Sequence, residues 1–376
     1  MNVRIEKLNQ IGQSLWYDNI ERKLLDDGTL EKMIQRGEIR GMTSNPSIFN
    51  KAISKSNDYD DQIKNLVGKG LSREEIFEKL SVADIQQAAD LFAELYDETE
   101  GRDGFVSLEV SPYLAAQTQE TIAEAKKLWH LVNRPNLMVK IPATKEGLPA
   151  ITECISAGLN INVTLIFSLT RYQEVIDAYL AGLENRSAAG LPLDRAASVA
   201  SFFISRIDSK VDGELDALLQ GKDGDQGDKF RSMLGKAGLA SGKLAYQIFL
   251  DNFERQGQRF HKLQELGARP QRALWASTST KNPAYPDTMY VDNLIAPWTV
   301  NTVPPQTLVA FLDHGKADLS IETGLADYQQ AFQDLGSAGI DIDQVTDELE
   351  QEGVKAFADA FTSLLNSLQK RMDDFS

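Results

Sequence analysis

The chain has 376 residues, of which 42% are hydrophobic and 25% charged, a globular composition with ample material for a large core. Its formal net charge of −16 opposes binding to a phosphate backbone over the bulk surface, so nucleic acid is not an expected partner. A small anionic substrate needs only a local cationic pocket and stays open.

The first sixteen residues, MNVRIEKLNQIGQSLW, hold no apolar run of the signal-peptide kind, and no window approaches a membrane span. The single cysteine, Cys154, rules out an intrachain disulfide and lies in an apolar-periodic stretch, so it reads as a core residue. A cytoplasmic protein without a membrane partner is the expectation. The three histidines, His130, His261 and His314, lack metal-ligand spacing, and no metal is expected.

Short apolar runs alternate with helical stretches along the chain. Candidate strands are Ser14–Asp18, Gly41–Ser44, Phe105–Val110, Leu137–Pro142, Asn160–Phe167, Ala197–Ile207, Arg272–Thr278 and Trp298–Val303. Helical spacing marks Leu71–Leu95, Tyr113–Val132, Leu148–Ala157 and Arg171–Leu183. Strands separated by helices pair in parallel, and eight such units predict an α/β fold, a single (β/α)8 barrel over residues 1–376. No GxGxxG stands at a strand-to-helix turn to support an open doubly wound sheet.

Two stretches exceed the minimal unit. Asp208–Gly267 predicts a helical insertion after strand six, with the polar, Gly-rich piece Gly221–Phe230 as a surface loop. The tail, residues 321–376, predicts a helical extension. Its apolar positions Val354, Phe357, Phe361, Leu364, Leu365 and Leu368 suggest a helix packed back on the body.

Barrel chemistry sits at the C-terminal ends of the strands. Strand parity puts Met138, Lys140 and Pro142 of LMVKIPAT on the interior face and Leu137, Val139 and Ile141 toward the helices. An interior lysine is either an ion-pair partner or an amine poised to attack a carbonyl. Neighbouring strands bring Asp18, Asn45, Glu109 (with Ser107), and Asn162 with Thr164 to the same end. Two carboxylates and a threonine near an amine suit the proton transfers of carbinolamine chemistry. Strand six, SVASFFISRID, puts Ser201, Phe203 and Ser205 in phase and Arg206 out of phase, where strand gives way to loop. Strand seven ends in the hydroxyls of ASTSTKNP and Lys281.

These motifs resemble the transaldolase family: MTSNPSIFNKAI after strand two, LMVKIPAT, INVTLIFSLTRY and SVASFFISRID match in order and spacing over about residues 10–310. The resemblance implies a transferase of the pentose phosphate pathway that moves a dihydroxyacetone unit between sugar-phosphate substrates without a cofactor. Lys140 would be the Schiff-base nucleophile, Glu109 and Thr164 would hold the catalytic water, and Asp18 would be the general acid/base. Asn45 and Asn162 would bind substrate hydroxyls, Ser201 would contact the ketose, and Arg206 with Ser277 would bind phosphate.

The sequence departs from the better-known pattern in two places. Lys281 stands where a second phosphate-binding arginine is expected, and strand six has Phe202 and Ser205 in place of proline and glycine. With the insertion and tail, this suggests a longer bacterial subfamily, monomer or homodimer. Fructose-6-phosphate aldolases of the same superfamily carry tyrosine where Phe203 stands, so phenylalanine favours transfer over release of free dihydroxyacetone. The aldolase and a catalytically silent sugar-phosphate-binding barrel are the alternatives.

Overall fold

A computed structural model describes residues 2–255 and 257–375. Eight parallel strands close a barrel in chain order: β1 Gln13–Asp18, β2 Gly41–Thr43, β3 Phe105–Glu109, β4 Leu137–Pro142, β5 Ile161–Ile166, β6 Ser198–Phe203, β7 Arg272–Ala276 and β8 Thr299–Val303. The β1–β8 pairing, from Gln13↔Thr299 to Tyr17↔Val303, completes the ring. All eight expected strands are present. Most are one or two residues shorter than expected, because terminal residues leave the ladder to begin the next turn.

Register is what makes the site. Glu109 pairs with Lys140 and Lys140 with Asn162, so three adjacent strands carry these side chains abreast. One step further up, Pro142 pairs with Thr164, while Asp18 pairs with Thr43 across β1 and β2. Parallel strands point their C-terminal ends the same way, so all these groups open onto one mouth.

The opposite end is closed by ions. Arg272, buried at the start of β7, donates to Asp103 at 3.0 Å, to Ser14 Oγ at 2.6 Å and to the carbonyl of Thr299 at 2.8 Å. Arg40 meets the same Asp103 at 2.7 Å. Burial opposes charge on Asp103, but the two guanidiniums outweigh it and hold the carboxyl at about 2. An ion-paired polar plug is therefore present, at the end away from the open mouth.

Three expectations need correction. Strand six does not run to Ile207. It stops at Phe203, and a helix, Ser205–Leu219, starts after the single connecting residue Ile204, so Ser205 and Arg206 lie in its first turn. The supposed loop Gly221–Phe230 is largely the helix Gly224–Arg231. Its polar composition hides one buried ring, Phe230, under Lys222 at 4.9 Å, and its charges run from Asp225 at the start to Lys229 and Arg231 at the end, which suits the helix dipole. The stretch Leu71–Leu95 is two helices, Arg73–Leu91 and Ala93–Glu98, the first begun by a capping box between Ser72 and Glu75.

Among the described residues, the stretch between β6 and β7 holds four α-helices, including Ala237–Leu250 and Gln258–Gln264, and a π-helical turn, Asp251–Arg255. The tail is helical, as Leu325–Ser337 and the 33-residue Ile342–Asp374. Five of its six expected apolar positions are buried, and Val354 is partly so.

Lys243 joins insertion to tail. Its three N–H groups are shared among four carbonyls, those of Asn293 at 3.2 Å, Ser320 at 2.8 Å, Ile321 at 3.1 Å and Thr323 at 3.1 Å from Nζ. Burial lowers its ammonium to about 8, and no ion pair offsets this among the described residues. Lys243→Met removes the donor for all four acceptors at an expected cost of at least about 3 kcal/mol, since each unsatisfied buried group costs about 1–3 kcal/mol. Urea denaturation checks this: an unchanged midpoint would show that the carbonyls are served without the lysine.

Candidate active site

Lys140 is 5% exposed and donates from Nζ to the carbonyl of Ser44, the last residue before Asn45, at 3.0 Å. Its second neighbour is Glu109 Oε2 at 3.5 Å, an ion pair too long for a strong hydrogen bond. Burial pushes the Glu109 carboxyl up to about 7, Lys140 pulls it back in part, and Asp18 adds a smaller upward push.

Asp18 stands at the end of β1. Thr43 Oγ1 donates to it at 2.6 Å and also lies 2.6 Å from Thr302 Oγ1 on β8. Burial raises the Asp18 carboxyl above the ordinary range, opposed first by Lys140, then by the Thr43 hydrogen bond and Lys281. One amine thus serves two buried carboxyls, and each is easier to protonate than it would be in water.

Thr164 lies on β5, which is irregular here. Its register with β6 shifts between Val163 and Ile166, and Leu165 has φ +60°, which a bulky side chain adopts only under constraint. Thr164 Oγ1 and Glu109 Oε2 are both buried without a hydrogen-bond partner among the described residues. Polar atoms in that condition call for a partner that the chain does not supply.

A cavity of about 200 Å³ opens above Lys140. Asp18, Asn45, Thr164, Ser201, Phe203, Arg206, Ser277 and Lys281, all candidates from the sequence, line it. Asn45 caps the helix Pro46–Lys55 by accepting from the Ile48 amide at 3.1 Å, and its NH2 has no protein partner among the described residues. Glu109 instead faces a neighbouring, more apolar cavity of about 400 Å³ that includes Phe49, Phe77, Tyr113 and Phe361.

Asn162 does not reach the cavity. It is fully buried, donates to Ser107 Oγ at 3.1 Å and accepts from Ser201 Oγ at 2.7 Å, so both ends of its amide are engaged within the protein. Ser205 is likewise turned away from the strand face, 2.8 Å from Ser277 Oγ.

The far end of the cavity is cationic. Arg206 lies 5.4 Å over the Phe203 ring and has no hydrogen bond to any described residue. Burial lowers its guanidinium from the ordinary range. Lys281 donates to Ser279 Oγ at 2.8 Å, and its ammonium is lowered by partial burial and by Arg206. Two cations on one cavity wall, the guanidinium without a hydrogen bond to a described residue and depressing the ammonium, fit a bound dianion. Ser277 stands beside them with φ +55°, backbone strain of about 1–3 kcal/mol of the kind concentrated at ligand sites.

The sequence left Thr43, Thr302, Ser279, Gln306 and Phe357 unassigned. Thr43 sits inside the quoted MTSNP motif, and Thr302 shares strand parity with the interior face of β8. The sequence marks Phe357 only as an apolar position of the tail helix, from which it enters the wall. Among the described residues, no group of three or more His, Cys, Asp or Glu is arranged to hold a metal ion.

Comparison with known proteins gives a consistent result. A family profile described as Transaldolase/Fructose-6-phosphate aldolase matches residues 15–368. A Transaldolase of Saccharopolyspora erythraea is 46% identical over 373 residues, covering 99% of this chain and 98% of that protein. Transaldolase 1 of Streptomyces avermitilis is 48% identical, covering 97% of this chain and 94% of its own length. A Transaldolase of Trichodesmium erythraeum is 46% identical, with 97% of each chain covered. With the closed barrel, its buried lysine and these full-length matches together, the chain belongs to the transaldolase/fructose-6-phosphate aldolase family.

Proposed function

We propose that the chain catalyses the transaldolase reaction of the pentose phosphate pathway. It moves a dihydroxyacetone unit from sedoheptulose 7-phosphate to glyceraldehyde 3-phosphate, giving erythrose 4-phosphate and fructose 6-phosphate. The observation that carries this reading is the buried Lys140 amine beside Glu109, at the base of a cavity shared with Asp18 and ending in Arg206 and Lys281.

In this reading the amine of Lys140, its proton passed to a neighbouring carboxylate, attacks C2 of the ketose. Glu109, raised to about 7, can both take and give a proton near neutrality as the carbinolamine loses water. A water held between Glu109 Oε2 and Thr164 Oγ1 would satisfy two atoms that the chain leaves unpaired. Asp18 accepts the C4 hydroxyl proton as the C3–C4 bond breaks, and the iminium takes up the electron pair as an enamine. The enamine then adds to the aldehyde of the acceptor, and the steps reverse.

The Asn45 NH2 and Ser201 would meet substrate hydroxyls, while Asn162 acts through Ser201 by orienting its hydroxyl. Arg206, Lys281 and Ser277 would hold the phosphate and so fix the reacting end in reach of Lys140. Phe203, without a hydroxyl, favours transfer over aldol cleavage. The reading includes a cytoplasmic setting, supported by the single buried cysteine, and a monomer or homodimer.

Borohydride reduction in the presence of fructose 6-phosphate is expected to label Lys140, seen by peptide mass spectrometry, and Lys140→Ala is expected to fold and lose turnover. Label on a different lysine, or near-normal activity in the variant, would sink the assignment.

Arg206→Ala is expected to lower kcat/KM for fructose 6-phosphate by about 10- to 100-fold, the value of a charge-assisted contact, and to leave unphosphorylated fructose little affected. Equal losses on both substrates would remove Arg206 from the phosphate site.

Glu109 also carries a stability signature. Its folded-state value of about 7 exceeds its ordinary 4.5, so between those values the folded chain holds a proton that the unfolded chain has released. Stability therefore falls as pH rises through that window. Glu109→Gln, which cannot ionise, should gain on the parent from about pH 4.5 to about pH 7 in urea titrations. A difference independent of pH there would contradict the shift.

A further inference from the structure

The tail helix Ile342–Asp374 lies across the barrel mouth. Near its start, Lys210 on the helix after β6 meets Glu348 at 2.8 Å and Glu352 at 2.6 Å. Arg171, on the helix after β5, meets Glu350 at 3.2 Å. Near its end, Arg371 meets Asp60, in the segment after β2, at 2.6 Å. In the closed eight-stranded ring, β5 and β6 stand opposite β1 and β2. The stretch from Glu350 to Arg371 covers about 30 Å at 1.5 Å per residue, enough to bridge the opening.

The helix is seated at Gly353. Glycine within a helix is unfavourable relative to alanine, so a buried one at this point calls for a packing reason. A Cβ there would lie 3.1 Å from Leu165 Cδ2 and 3.4 Å from the Phe167 ring. Leu165 is the residue with positive φ directly after Thr164, so the irregularity in β5 and the glycine in the tail meet face to face. One helical turn further, Phe357 lines the cavity that holds Lys140, Asp18 and Phe203. Another turn on, Phe361 packs edge-on against Phe77 and Tyr113, each at 5.4 Å. Gly353, Phe357 and Phe361 thus form one stripe pressed onto the mouth.

We propose that Phe357 is a specificity-determining residue, whose ring keeps water from the three-carbon enamine on Lys140 so that an aldehyde acceptor receives it. The inference rests on the Schiff-base reading above. The competing route protonates the enamine carbon from solvent. Water then adds to C2 of the resulting iminium, and the carbinolamine collapses to free dihydroxyacetone and the Lys140 amine. That route consumes one water and needs no other reactant. Transfer instead forms a carbon–carbon bond from the same enamine carbon to the acceptor aldehyde. Exclusion of water by a closed site suppresses hydrolysis and proton leakage of this kind. Phe357 is 6% exposed and apolar, and it is delivered by an element outside the eight βα units.

The test measures partition. The full-length enzyme is given fructose 6-phosphate with erythrose 4-phosphate, and free dihydroxyacetone is assayed against sedoheptulose 7-phosphate formed. Phe357→Ala is expected to raise that ratio by about tenfold, because it removes the ring that shields the intermediate. Phe357→Gln keeps side-chain length and helix propensity, and is expected to raise the ratio similarly by bringing a polar head and water to the mouth. A parent-like ratio in either folded variant would overturn the proposal. Borohydride labelling of the parent is run alongside: no label on Lys140 would overturn the Schiff-base reading itself, whatever the partition.

Discussion

Everything in the mouth of this barrel answers to one buried amine. Lys140 lies within 3.5 Å of Glu109, and its charge acts on Asp18 as well. Removing two carboxyls from water would be expensive with no cation nearby, and one ammonium cannot fully offset both. The outcome is two acids whose protons are held more tightly than in solution, next to an amine that donates to the Ser44 carbonyl. That arrangement is poor for stability and well suited to moving protons at neutral pH.

The two ends of the barrel show the contrast. At the closed end, Asp103 has two guanidiniums and stays ionised. At the open end, Glu109 and Asp18 share one lysine and are pushed the other way. Both ends bury carboxylates; they differ in the ratio of cations to anions. A network with cations in excess locks the bottom, and one short of cations is left reactive at the top.

The parts beyond the eight βα units bear on the same mouth. Lys243 fastens the insertion helix Ala237–Leu250 to the segment Ser320–Thr323 that leads into the tail. The tail then crosses the opening, pinned by Lys210 and Arg171 at one side and Arg371 at the other. A polar loop and a packed-back helix, as the sequence suggested them, become the helix Gly224–Arg231, packed on the helix after β6, and a cover over the opening.

The strand run LMVKIPAT with its interior lysine, the flanking SLEV and NVTL segments, and the count of eight were legible because strand parity is a local property of the chain. So was the family, because its motifs are contiguous. The end of β6 was not legible. The apolar run continues through Phe203 and Ile204 into Ile207, and only the change of hydrogen bonding at Ser205 turns it into a helix. The engagement of Asn162 by Ser107 and Ser201 was hidden for another reason: these three residues come from three strands, and their distances depend on register around the ring. Phe357 was visible only as one more apolar position in a helix. By itself, then, the sequence determined the barrel, the lysine and the carboxyls facing it, all of which follow from alternation within single strands. Tertiary structure alone decided which polar atoms are satisfied and which remain free for a substrate, and which ring from a distant helix closes over them, because those depend on distances between segments as far apart in the chain as Asp18 and Phe357.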